Sequence, residues 1–373
     1  MAGLFSFLLS AALVGSPHAH VYPVPDGIER GAAGYAVTAD GMDVPATPVR
    51  VSAMPVNCLW PGHEREKDQT EIAAMARFSL DGPVRVRVTP GRDFKDAAVR
   101  PLSKKIAVVR DGRSVTFTIG EPGGYSVEFD GRRRNLHLLV DPPEDRSAAP
   151  EGPRVRRFGP GLHEAGVITL KTGDTLYLDE GAWVRGRVEA KDAKHVRILG
   201  RGVIDMGGVQ AETAPVDEEE RRRLVREVKI VENAKRFNLM NFSFCDDLRI
   251  EGVTLLDSMT WNIVLFGCRG VVIDNVKTLG NWRYNADGYD LMNSRDVTIR
   301  NCFLRTFDDA IVLKGFSGAF VRDNGGYAHG GETFDTVENV LVTNCVTWCD
   351  WGRNLEIGLE TCAREFRNIR FVD

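Results

Sequence analysis

Carboxylates crowd one stretch of this 373-residue sequence. Between Tyr284 and Gly315, Asp287, Asp290, Asp308 and Asp309 stand near the starts of short apolar strands. Asp287 and Asp308 are 21 positions apart, and neighbouring segments repeat at a similar interval. Residues one repeat apart stack at about 4.8 Å, the spacing of hydrogen-bonded strands, so these carboxylates are expected to share one patch. Like charges held that close push at least one pKa upward. The same crowding can keep one carboxyl protonated as a general acid while its neighbour stays ionised as a general base. A purely structural reading competes, because Asn285-Ala286-Asp287-Gly288 is turn chemistry and Asp-Asp suits a strand start. The spacing favours catalysis. Two registers are open: an offset of 21 stacks Asp287 on Asp308, and an offset of 22 stacks it on Asp309 and pairs Tyr289 with Ile311. The second keeps apolar on apolar and is preferred.

The elements that must position this patch are short and numerous. Strands recur at Val196–Ile198, Leu248–Ile250, Val271–Ile273, Val297–Ile299, Val340–Val342 and Asn368–Phe371. Successive intervals include 23, 26 and 27 residues, and the longer interval of 43 between Ile299 and Val342 is expected to hold about two turns. A second strand recurs in each unit, at Trp261–Phe266, Tyr289–Met292, Ala310–Leu313 and Leu355–Leu359. Units of two or three short strands with a period in the twenties predict an all-β, right-handed parallel β-helix over 155–373. The leucine spacing of the rival leucine-rich repeat is absent. Two insertions interrupt the period. Gly207 to Val228 carries an Asp217–Arg223 charge run and reads as an exposed rim. Phe316 to Glu338 carries Arg322, His329 and Glu332 and is expected beside the carboxylates.

Before the repeats, 21–143 reads as a small β-sandwich, with alternating strands and turn signals such as Asp81-Gly82, Asp111-Gly112 and Asp130-Gly131. It contains nothing catalytic and is expected to act as a support. Pro and charge mark 144–154 as the linker. The apolar run Leu4 to Val14 has the length of a signal-peptide core, so 1–20 is expected to direct export to a secreted or periplasmic location. No other segment could cross a membrane. A net charge of −4 carries no basic excess and argues against nucleic acid. Seven cysteines fit neither a metal site nor a disulfide framework; Cys302 and Cys345 occupy equivalent positions and are expected to be packed thiols.

Several ordered motifs carry a family resemblance. They are Gly200–Asp205 (GRGVID), Ile250–Leu255 (IEGVTL) with Trp261 after it, Asn285–Gly288 (NADG), and Asp308-Asp309-Ala310-Ile311. From about Phe158 onward the chain resembles the glycoside hydrolase family 28 polygalacturonases and their relatives, including the family 49 dextranases. The resemblance implies an inverting hydrolase of a polysaccharide with Asp287, Asp308 and Asp309 as its catalytic centre. Asp308 would protonate the leaving oxygen, and Asp287 and Asp309 would hold and deprotonate a water, with no metal or organic cofactor. Asn285, Lys314, Arg353 and Arg283 are the candidates for substrate contacts. Asp290 lies outside the matched motifs and is expected to matter less.

The departures are specific. Where the family has Gly-His-Gly, this chain has Gly352-Arg353-Asn354, and a guanidinium cannot replace an imidazole as proton carrier. The later Arg-Ile-Lys motif has no counterpart before Asp373, so the sequence is expected to be part of a longer β-helix. Two other readings stay open: a polysaccharide lyase on the same solenoid, with Lys314, Arg283 or Arg353 as base, and a glycan-binding β-helix without catalysis.

Overall fold

In the segment Val196–Ile198 and its equivalents an apolar position alternates with a polar one, the pattern of a strand with one buried face. The computed structural model describes residues 17–31, 34–56, 69–145, 149–207, 238–317 and 336–373, with the backbone alone of 212–213 and 234–235. It stacks these segments directly on one another. Val196 begins a row continued by Leu248, Val271, Val297, Val340 and Ile369, and Ile198 begins the row Ile250, Ile273, Ile299, Val342 and Phe371. Every pairing is parallel, and the rows belong to one sheet of eight strands.

Two further faces complete each coil. One runs through Val203–Asp205, Thr254–Leu256, Lys277–Leu279, Phe303–Thr306 and Val346–Cys349. The other runs through Ala182–Lys191, Met240–Ser243, Ile263–Phe266, Tyr289–Met292, Ile311–Gly315 and Leu355–Thr361. The inward side chains of all three faces close on one apolar core. This is a right-handed parallel β-helix, the hand that parallel crossover connections almost always take. One corner is turned by Gly252, Asn275, Asn301 and Asn344, all in the left-handed region with φ of 79°, 55°, 56° and 48°. Asn tolerates that conformation better than other side-chain-bearing residues. Its amide also links coils: Asn344 Nδ2 donates to Asn301 Oδ1 at 2.7 Å.

The interval of 43 does not hold two turns. Ile299 and Val342 pair directly, so it holds a single coil whose extra length follows Gly315. The Asp217–Arg223 run, Arg322, His329 and Glu332 lie outside the described residues.

Two sheets precede the β-helix. One contains Ala19–Val21, Ala46–Ser52, Thr70–Leu80, Ala97–Arg100, Gly123–Phe129 and Leu136–Asp141; the other contains Tyr35–Ala39, Met42–Asp43, Val84–Pro90, Val109–Asp111 and Ser114–Ile119. Phe78, Val127 and Leu138 of the first and Val86, Val88 and Phe117 of the second belong to one apolar cluster. Ala19–Val21 pairs with Phe78–Leu80, so strand structure begins within the stretch expected as an export signal, whose apolar run lies outside the described residues. Among the described residues no helix is long and apolar enough to cross a membrane.

The two-sheet unit lies against the second face of the β-helix. Val49, Val51, Ala73, Met75 and Leu139 pack with Trp183, Val203, Leu256, Leu279 and Phe303. Backbone approaches ring so closely here that a Cβ on Gly124 would sit 2.2 Å from Phe303, which explains a glycine inside a strand. Beside this apolar contact, Asp141 of the two-sheet unit is only 1% exposed and meets polar and charged groups of the β-helix. Lys277 Nζ donates to Asp141 Oδ1, Asn275 Nδ2 donates to the same oxygen at 2.8 Å, and Arg201 Nε stands 3.9 Å away. Burial lowers the pKa of Lys277, and the Asp141 charge opposes that shift. Removing the carboxylate would leave buried cations uncompensated. Asp141→Ala is therefore expected to lower stability by about 3–5 kcal/mol in denaturant unfolding, and a loss below about 1 kcal/mol would show the network to be incidental.

Candidate active site

The third face of the β-helix carries the candidate residues, and strand alternation decides which side chains point away from the core. Ile263, Leu265, Tyr289, Leu291, Ile311 and Leu313 point into the core. Their neighbours Val264, Asp290, Val312 and Glu356 form the outward row. Tyr289 pairs with Ile311, so the register is the preferred offset of 22. In the preceding turn, Gly288 N donates to Asp309 O at 2.7 Å and Ala310 N to Arg353 O at 2.8 Å, placing Asp287, Asp309 and Arg353 on successive coils. Ala286 and Ala310 are completely buried, and Asp287 and Asp309 beside them are buried as well.

Each aspartate is held by its backbone. Asn262 Nδ2 donates to the Asp287 carbonyl at 2.6 Å and to Asn281 Oδ1 at 3.0 Å. Thr306 Oγ1 donates to the Asp308 carbonyl at 2.5 Å, and Asp308 Oδ1 accepts the Asp309 N–H at 3.1 Å. Asp309 Oδ1 accepts the Arg353 N–H at 2.9 Å. Gly352 completes the turn because nothing larger fits. Its Cβ would lie 2.5 Å from Asp308 Oδ1 and 2.6 Å from Asp309 Oδ1.

The positive charge in the centre is Lys314. Its Nζ lies 3.4 Å from Asp290 Oδ1, 3.6 Å from Glu360 Oε2 and 3.9 Å from Asp287 Oδ2, and 4.8 Å from the centre of the Trp261 ring. Burial would lower its pKa, but Asp290, Asp287 and Glu360 together raise it. The carboxylates outnumber it. Burial, then the Asp290 and Asp308 charges, pushes Asp287 well above the ordinary carboxyl range. Burial, opposed by Lys314, raises Asp290 to about 8. Burial and the Asp309 charge raise Asp308 to about 6, so it exchanges its proton in mildly acidic solution.

Of the residues expected here, Asp287, Asp308, Asp309 and Lys314 come together. The Arg353 side chain is 62% exposed and points out of the cluster, with Nη1 3.6 Å from Glu356 Oε2. Asn285 holds a left-handed turn position, φ 55°, and its carbonyl accepts the Thr260 hydroxyl at 3.1 Å. Arg283 is placed apart. It donates to Asp257 Oδ1, and to the Asp257 and Ser258 carbonyls at 3.2 and 3.3 Å, and its guanidinium lies over the Trp282 ring. Its fork is thus engaged in bracing the neighbouring corner. Three carboxylates were undervalued from sequence: Asp290, which is completely buried in the cluster, and Glu356 and Glu360, which reach it from the next coil. Val312 pairs with Glu356 at an offset of 44, so the offset of 22 that aligns Asp290 with Val312 does not carry on to Glu356.

The raised pKa of Asp290 has a thermodynamic sign. A carboxyl near 3.8 when unfolded and about 8 when folded binds more protons in the folded state between those values, so stability falls as pH rises through that window. Asp290→Asn removes this dependence. The melting temperature of the variant relative to the unsubstituted protein should therefore increase between about pH 5 and about pH 8, within that window; a constant difference would mean that Asp290 does not titrate there. Gly352→Ala should keep the fold while displacing both aspartates. It is expected to lower any activity about tenfold or more, the cost of misplacing catalytic groups by a fraction of an ångström, and full activity would show that Asp308 and Asp309 move without consequence.

Known proteins supply the context for this geometry. Residues 161–347 match the model of glycosyl hydrolases family 28, a stretch that includes Asp287, Asp308, Asp309 and Lys314 and ends before Arg353 and Glu356. A polygalacturonase of Medicago sativa is 29% identical over 164 residues, 40% of this chain and 37% of that protein. One from Penicillium janthinellum is 35% identical over 85 residues, 20% of this chain and 22% of that protein. The matched stretches thus span well under half the length of these relatives. Among solved structures, Dex49A from Penicillium minioluteum superposes with a TM-score of 0.58 at 13% identity, over 87% of this chain and 72% of that one, which shows the shared fold. With half its length matched by that family model, the chain belongs to glycosyl hydrolases family 28.

Proposed function

We propose that this protein hydrolyses O-glycosidic bonds of a polysaccharide with inversion. The observation that carries this reading is the set of buried carboxyls Asp287, Asp308 and Asp309 on one outward face, in register on adjacent coils. Asp308 acts as the acid and gives its proton to the leaving sugar oxygen as the bond to the anomeric carbon breaks. A water held by Asp287 and Asp309 attacks that carbon from the opposite side, and Asp309 takes the water proton. Lys314, paired with carboxylates that keep it protonated, holds the cluster together and can donate to a sugar hydroxyl. That state speaks against its acting as the base of a lyase. Arg353, exposed at the edge, offers a fork for a hydroxyl or carboxylate of the substrate. The relatives named polygalacturonases make polygalacturonate the first substrate to try, and the dextranase-like resemblance makes dextran the second. Action on an external polysaccharide agrees with the apolar run at Leu4 to Val14, and a secreted or periplasmic location is part of the proposal.

Asp308→Asn removes the transferable proton without changing size. Release of reducing ends should fall by about two to four orders of magnitude. An aryl glycoside with a very good leaving group should restore much of that loss, and should not restore Asp287→Asn or Asp309→Asn. In the unsubstituted enzyme kcat should decline as pH rises through about 6, where Asp308 loses its proton. Full activity of Asp308→Asn on the polysaccharide would remove it from the acid role.

A further inference from the structure

One side chain of the two-sheet unit reaches a buried cation of the β-helix. His137, in the strand Leu136–Asp141, and Arg305, in the strand Phe303–Thr306, are both completely buried. Arg305 Nη1 stands 3.0 Å from His137 Nε2, and His137 Nδ1 stands 2.8 Å from Ser126 Oγ. A guanidinium carries donors only, so His137 Nε2 must present its lone pair to Arg305. The imidazole is therefore neutral, with its proton on Nδ1 and donated to the Ser126 hydroxyl. Burial and then the Arg305 charge hold the His137 pKa well below the ordinary histidine value, in agreement with that state.

On its other side Arg305 meets the turn that closes over the acid. Its Nη2 lies 3.5 Å from Oδ1 of Asp350, whose side chain is 0% exposed, and its guanidinium lies 4.3 Å from the centre of the Trp348 ring. Asp350 N donates to the Thr306 carbonyl at 2.9 Å, and Trp351 N and Gly352 N donate to the Phe307 carbonyl at 2.9 and 3.2 Å. Thr306 Oγ1 holds the Asp308 carbonyl, and Arg353 N holds Asp309 Oδ1. We propose that His137 is a positioning residue for the acid: its Nε2 lone pair holds Arg305, Arg305 holds Asp350, and Asp350 fixes the 350–353 turn against Asp308 and Asp309. A buried guanidinium that loses an acceptor must move toward a new one. That movement would carry Asp350 and the turn away from the aspartates, so the two-sheet unit acts on the cluster and is more than a support.

The proposal rests on the hydrolase reading only for its effect on rate, so the test has two arms. The first is nitrogen-15 NMR of the full chain with no substrate present, at about pH 6, where an ordinary histidine is substantially protonated. His137 Nδ1 should carry a proton and Nε2 none. Its signals are assigned through the His137 backbone, so this reading needs no variant. A proton on Nε2, in a neutral or a charged ring, would overturn the proposal. The amide signals of Gly352 and Arg353 report the turn. They should shift in His137→Leu, which offers Arg305 no acceptor, and return toward their original positions in His137→Gln, whose side-chain carbonyl accepts. Unmoved amides in a folded His137→Leu would also overturn it.

The second arm uses polygalacturonate or dextran, whichever the unsubstituted enzyme cleaves. His137→Leu should lower kcat by about ten- to a hundredfold with KM little changed, the range for losing a hydrogen bond to a charged group. His137→Gln should recover most of that loss. Equal losses in the two variants, or a loss confined to KM, would contradict a positioning role. Cleavage of neither polysaccharide would count against the hydrolase reading, while the NMR arm would still decide whether His137 holds Arg305 and the turn.

Discussion

Register is the constraint on which the rest of this protein depends. Parallel coils hydrogen-bonded in register place equivalent positions one strand spacing apart, about 4.8 Å, and neither face can slip without turning its buried residues outward. The rows from Val196 to Ile369 and from Ile198 to Phe371 enforce that register with apolar contacts. Asn275, Asn301 and Asn344 enforce it again at the corner, where each takes a left-handed turn and two of them join through their amides. Because the backbone allows no freedom, Asp287 and Asp309 must lie on adjacent coils whatever their charges prefer.

The electrostatic consequence is a cluster in which protonation has to be shared. Asp287, Asp290, Asp308, Asp309, Glu356 and Glu360 face essentially one central cation, Lys314, with Arg353 at the edge. Burial keeps water from screening the four aspartates, so several carboxyls keep protons well above their usual range. That is the condition glycoside hydrolysis needs, an acid and a base of the same chemical type held apart only by their surroundings. The two-sheet unit contributes from a distance: it covers the neighbouring face through Phe303 and Leu279 and locks against it at Asp141 and Lys277.

Much of this was legible because repetition exposes geometry. The strand cores at Ile250, Ile273 and Ile299 recur at a nearly constant interval, so their stacking and the preferred pairing of Tyr289 with Ile311 are legible in the sequence. Intervals mislead where a loop is inserted, as between Ile299 and Val342, since length alone does not distinguish a coil from an excursion. Partnerships formed by side chains were less visible. Arg283 lies close in sequence to Asp287 yet folds toward Asp257, because a corner one coil away offers it a carboxylate and two carbonyls. Asp290 and Glu356 were undervalued because short motifs mark turns, and these residues enter the cluster from the outward positions of strands.

Inversion is the most direct consequence of the proposed attack by a water held opposite Asp308. Proton NMR of the nascent reducing end during cleavage of polygalacturonate, or of dextran if that is the substrate, reports it within the first turnovers. From an α-linked chain the β-anomer should appear first and the α-anomer only by later mutarotation. Initial release of the α-anomer, or of an unsaturated sugar in place of a new reducing end, would contradict the assignment of Asp308 as acid and of Asp287 and Asp309 as the groups that hold the water.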